Sequence, residues 1–156
     1  MYNKRRIERA IKDYIRVKRE FAELNIATTE RSLISEVGEW FVEAIFDGKR
    51  ADNKVQADWD VMVDNKKIQV KTHAKALSNK AARTTIKYAK DAQIDEVIII
   101  VFSPSLKLRH FYIIPWELLY KKIKQVGGKS QVYWKDLSGF ERPIKDLPKQ
   151  ELVALF

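Results

Sequence analysis

Cysteine is absent from this chain of 156 residues. That excludes a disulfide framework, a thiolate zinc site and a cysteine nucleophile, and it suits a reducing cytoplasm, the location we expect. Histidine occurs only twice, as His73 and His110, without the paired spacing of a zinc site. No apolar run approaches the roughly 20 residues needed to cross a bilayer. The longest, Val97 to Phe102, has the length of a buried strand. The basic start Met1-Tyr2-Asn3-Lys4-Arg5-Arg6 leads into no uninterrupted apolar segment, so a secretory signal is not expected. Internal repeats, low-complexity tracts and an interdomain linker are also missing. Gly127-Gly128-Lys129-Ser130 ends like a P-loop, but Ile123 stands where the first glycine is needed and a helical segment precedes it. Nucleotide binding at that point is therefore rejected.

What is present is a globular composition, 46% apolar and 33% charged, in a length that suits a single domain over 1–156. The net charge of +9 is unevenly placed. Between Lys66 and Lys90 there are eight basic residues and no acid. A stretch of one sign concentrates polyanions and makes their binding salt-dependent. Lys75, Lys80, Arg83 and Lys87 are the residues we expect to touch phosphates, against the plainer reading of a solvated lysine-rich face.

Apolar residues at helical spacing from Ile7 to Leu24 predict an amphipathic helix over about 4–24, which either docks on the core or mediates dimerisation. A second helix is expected over 32–46, opened by the cap residues around Thr28-Thr29 and closed by Asp47-Gly48, with the glycine at C′. Residues 74–91 suggest a helix in their second half only. Glu96 to Phe102 lacks alternation and predicts a strand covered on both faces. Leu108 to Ile114 predicts the next strand, Pro115 the first turn of a helix, Gln131 to Trp134 a late strand and Lys149 to Phe156 a short closing helix. This order predicts an α/β fold, a mixed central sheet flanked by helices.

The chemistry concentrates in Asp58 to Thr72. Trp59, Val61 and Val63 alternate with Asp58, Asp60 and Met62, as do Ile68 and Val70 with Gln69 and Lys71, so an antiparallel hairpin is expected. A turn centred on Asn65-Lys66 sets Asp60 opposite Lys71 and Met62 opposite Gln69. Asp60, Gln69 and Lys71 then share one face, with opposed Cβ atoms about 5 Å apart. A carboxylate, an amide oxygen and an ammonium in that arrangement suit a hard divalent cation and a developing negative charge. Asp58 points to the same side and competes with Asp60. The glutamates of the second helix, Glu36, Glu39 and Glu43, read as its polar side; periodicity brings Glu36 and Glu43 nearer the apolar border.

In these residues the chain resembles the PD-(D/E)XK nuclease superfamily, which includes restriction endonucleases and archaeal Holliday-junction resolvases. Asp60 stands at the family's Asp, Gln69 at its variable acidic position and Lys71 at its Lys, with Gly38-Glu39-Trp40-Phe41-Val42 similar to the helix that adds a Glu. The resemblance covers about residues 32–122, leaving 1–25 as an N-terminal helix and 123–156 as a C-terminal extension. It implies a restriction endonuclease-like core and a DNA endonuclease of restriction, homing or junction and repair type. Mg²⁺, or Mn²⁺ in its place, would be held by Glu39, Asp60, Gln69 and the Val70 carbonyl, with Lys71 supporting attack and Glu36 as the reserve for Glu39. It also implies a homodimer or higher oligomer. The departure is Gln69, which lowers the charge at the metal. It keeps open a second class, a nucleic-acid-binding protein whose nuclease site has decayed.

Overall fold

The computed structural model describes residues 3–29, 32–52, 58–75 and 82–156. The chain opens with helices α1 (Lys4–Glu23) and α2 (Leu33–Phe46). Five strands form the central sheet: β1 (Lys49–Arg50), β2 (Val61–Val63), β3 (Lys66–Ala74), β5 (Glu96–Phe102) and β6 (Leu108–Pro115), in the spatial order β1-β2-β3-β5-β6. Only β3 and β5 run parallel, so the sheet is mixed. The α/β architecture with helices against a mixed sheet is thus as the pattern predicts. A second sheet of three strands, in the order β4-β8-β7, is built from β4 (Arg83–Thr85), β7 (Lys124–Val126) and β8 (Lys129–Tyr133). Short helices α3 (Trp116–Tyr120) and α4 (Gln150–Val153) and two 3-10 turns complete the chain.

β5 divides the core. Ile98, Ile100 and Phe102 pack with Phe41, Val42 and Ile45 of α2 on one face. Val97, Ile99 and Val101 pack with Ile114, Leu119 and Val132 on the other. Burial on both faces is why this strand shows no alternation. The outer edge of β6 is covered in part by the chain following the 3-10 stretch Trp134–Phe140, where Glu141 bridges Tyr112 and the Arg142 N–H donates to the Phe111 carbonyl at 2.7 Å.

Three local expectations change. The β2–β3 turn is the two-residue pair Asp64-Asn65, both at positive φ (49° and 64°), the handedness that matches strand twist. The register therefore pairs Val61 with Ile68 and Val63 with Lys66; continued, it sets Asp60 opposite Gln69, not Lys71. Because the change is by two residues, the side chains keep their faces. At the end of α2 the left-handed residue is Asp47 (φ 52°), while Gly48 is required by close approach, a Cβ there lying 2.8 Å from the Met62 carbonyl oxygen. The helical second half expected within 74–91 is instead β4 followed by irregular chain and a turn. A three-residue strand whose partner is β8, far along the sequence, has too little local pattern to announce itself.

Gly38 lets α2 lie directly on β3. A Cβ at this position would stand 1.9 Å from Thr72 Oγ1 and 2.9 Å from Thr72 Cβ. We expect Gly38→Ala to destabilise the fold by about 1–3 kcal/mol through overpacking, read as a lower urea midpoint at unchanged slope. Thr72→Ala in the same chain removes the hydroxyl but not the Cβ and should restore only part of the loss. An unshifted midpoint for Gly38→Ala would show that the helix rides up without cost.

Candidate functional site

The strands β2 and β3 differ in length, and the difference makes the site. β2 pairs with β3 only as far as Val61 with Ile68, and one further backbone bond, Asp60 N–H to the Ile68 carbonyl at 2.8 Å, ends the ladder. The next donor on β3, the Val70 N–H, is taken by the Asp60 carboxylate, its Oδ2 accepting at 2.8 Å. The Gln69 Nε2 donates to the same Oδ2 and, at 3.2 Å, to the Val70 carbonyl oxygen. Asp60 and Gln69 are both buried. Asp58, the competing aspartate, turns elsewhere and accepts from the Gln93 N–H at 3.0 Å.

Beyond this point the edge of β3 that β2 leaves uncovered floors a cleft of about 480 Å³. One wall belongs to α2, with Ser35 and Glu39; the far wall belongs to the second sheet, with Arg83, Thr84, Thr85, Lys129 and Gln131. Asp60, Gln69, Val70 and Lys71 all line it. The four candidate catalytic residues and the Val70 carbonyl residue are thus gathered in one place. Glu39 is 2% exposed, so the helix presents a buried acid and not a solvated one. Glu36 is also fully buried, but accepts from the Thr29 hydroxyl and, at 3.3 Å, from the Thr29 N–H, away from the cleft. Glu43 pairs with Arg50, whose Nε lies 2.8 Å from its Oε2. The expected polar side of α2 is therefore corrected. Its glutamates are engaged residue by residue, and only Glu39 reaches the cleft.

The cleft carries charge of both signs: Glu39 and Asp60 are the acids among its lining residues, and Lys71, Lys75, Arg83 and Lys129 the bases. Among the described residues no three His, Cys, Asp or Glu side chains form a metal-binding group; the third oxygen donor available here is the Gln69 amide. Lys71 Nζ lies 3.4 Å from the Tyr88 hydroxyl and 5.0 Å from the centre of its ring, and Tyr88 in turn meets the edge of Trp116. Lys75 sits 5.2 Å over the Trp134 ring, and burial, with Arg83 adjacent, lowers its pKa. Of the other expected phosphate contacts, Lys87 is exposed and outside the cleft, and Lys80 lies outside the described residues. Lys129 and Gln131 went unread in the sequence. Gly127-Gly128, at φ 57° and 73°, is the turn of the β7–β8 hairpin, and a Gly-Gly pair read as a turn would have exposed them.

His73 is tied across the cleft: its Nε2 lies 2.9 Å from Thr84 Oγ1, which also accepts from Trp134 Nε1 at 2.9 Å. Burial, followed by the charges of Lys75 and Lys71, lowers its pKa to about 4. At neutral pH the ring is uncharged and meets an anion only as a neutral donor. Below pH about 6.5 the unfolded chain takes up a proton that the native ring refuses down to about 4. Stability present above pH 6.5 is lost as the pH falls through this window, by up to about 3 kcal/mol. Denaturant titrations should show this slope, and His73→Asn should flatten it; an equally steep slope in the variant would assign the loss to other groups.

No helix among the described residues is long and apolar enough to cross a membrane. Compared with known proteins, the chain matches no family model and none of the curated sequences.

Proposed function

We propose that the protein is a metal-dependent endonuclease hydrolysing DNA phosphodiester bonds, on a restriction endonuclease-like core of the PD-(D/E)XK type. The observation that carries this reading is the gathering of Glu39, Asp60, Gln69 and Lys71 in one cleft that Lys75, Arg83 and Lys129 also line. The donor set fits a hard cation: two buried carboxylates are ligands that Mg²⁺ accepts and Mn²⁺ takes equally, and the Gln69 amide, whose NH2 here faces Asp60 and the Val70 carbonyl, would present its oxygen once rotated. The Val70 carbonyl already receives the Gln69 amide and has one more lone pair to offer. When bound, the cation would lower the pKa of a water and hold the scissile phosphate. Lys71 places a positive charge where the phosphorane's negative charge develops. Asp60 is oriented by two N–H donors, so its carboxylate is held before any ligand arrives. Lys75, Arg83 and Lys129 bind flanking phosphates and set the register of the strand.

A second reading is favoured by one detail. The Gln69 amide is bonded to Asp60, an arrangement that also suits a site retained for binding without hydrolysis. Nicking of supercoiled and branched DNA with Mg²⁺ or Mn²⁺ separates the two. The endonuclease reading expects cleavage by the wild type, and loss of it in Asp60→Ala and Lys71→Ala with DNA binding largely kept and circular dichroism unchanged. Gln69→Glu should keep or strengthen Mg²⁺ binding. Absent cleavage in the wild type, with tight DNA binding, would establish the binding protein instead.

The cationic wall gives a separate expectation. Measured without Mg²⁺ across salt concentrations, single alanine variants of Lys75, Arg83 and Lys129 should each lower affinity similarly for all sequences. Each should also reduce the salt slope by roughly 0.9 per duplex contact. Lys87→Ala, outside the cleft, should leave the slope alone. Equal effects at all four positions would mean that the charge acts diffusely and not through the cleft.

A further inference from the structure

Helix α1 has an apolar face that the described residues leave largely open, with only Tyr14 and Phe21 reaching a small groove beside Ala27 and Leu33. None of its residues is buried, and Ile7, Ile11, Tyr14, Ile15 and Val17 are among the exposed large hydrophobic residues, with Leu24 just beyond. They recur at 3–4-residue spacing along one stripe, and a contiguous exposed stripe of this kind marks an interaction surface. The charges are equally unusual. The first turn carries Lys4, Arg5 and Arg6 and no acid, while the last carries Glu20 and Glu23 and no base. Both ends run against the helix's own dipole, which favours acids at the N-terminus and bases at the C-terminus.

We propose that α1 is a self-association surface, pairing antiparallel with α1 of a second copy across a two-fold axis near Tyr14. The antiparallel arrangement brings each basic first turn against an acidic last turn, offsetting the misplaced charge at both ends; a parallel pair would set like against like. With Tyr14 beside its mate, Ile7 meets Phe21 and Ile11 meets Val17. At the flanks of the stripe, Arg6 then approaches Glu20 and Glu8 approaches Arg19. The contact is isologous, so it closes after two copies. This inference concerns α1 alone and stands apart from the nuclease reading of the cleft.

The absence of native cysteine provides a direct test in the full chain. Under mild oxidation Tyr14→Cys should give a disulfide-linked dimer, since a disulfide needs Cα atoms within about 7 Å. Leu24→Cys should not, because an antiparallel pair keeps the two copies of that end about 30 Å apart. By sedimentation the wild type should be dimeric, and Ile11→Glu should be monomeric at the same concentration with unchanged circular dichroism. Arg6→Glu should weaken the dimer, and adding Glu20→Arg should restore it. A wild type that stays monomeric, or equal crosslinking by both cysteine variants, would overturn the proposal. So would a monomer in which Ile11→Glu lowers only DNA affinity, which would give the stripe to nucleic acid.

Discussion

One carboxylate oxygen connects the fold to the site. Asp60 Oδ2 receives the Val70 N–H that β2 is too short to pair and the Gln69 amide from the facing strand. An unpaired backbone donor in a buried strand costs on the order of 1–3 kcal/mol. The side chain that removes this cost is thereby held in one orientation at the head of the cleft. Shortening β2, opening the edge of β3 and fixing Asp60 are a single structural event. A charged acceptor makes stronger bonds than a neutral one, so an aspartate satisfies this end of the ladder better than an amide would.

The remaining walls are placed by packing. Gly38 brings α2 against Thr72, and the same close approach brings the next residue, Glu39, to the cleft. Thr72 Oγ1 is buried without a hydrogen-bond partner among the described residues, so the tight contact is maintained at some polar expense. On the far side, Thr84 joins His73 of β3 to Trp134 beyond β8, fastening the small sheet to the large one. Lys71 lies along the Tyr88 ring, which limits the rotamers of a long flexible side chain.

Much of this was legible in the chain. Helical spacing marked α1, cap and stop residues marked α2, and the unbroken run of branched residues marked β5 as buried on both faces. The hairpin's alternation put Asp60, Gln69 and Lys71 on one face, a conclusion that survives the altered register because a shift of two preserves parity. The turn itself was misplaced because Asn65-Lys66 and Asp64-Asn65 offer similar turn chemistry. What stayed hidden depends on distant partners. Glu36 and Glu39 look solvated on a helical wheel, and only Thr29 and the cleft reveal why acids are buried there. β4 is three residues long and acquires its identity from β8, so the Arg83–Thr85 part of the far wall had no local pattern to betray it, whereas the β8 part was marked by its Gly-Gly turn.

The edge of β3 that β2 does not reach bears on how the sheet could pair with another chain. A strand edge with unpaired backbone groups is a template on which another chain's strand can add. Here that edge lies recessed between α2 and the second sheet, and the cations beside it repel any segment of the same charge. The recess that collects the polar side chains thus also hinders strand addition along this stretch of β3.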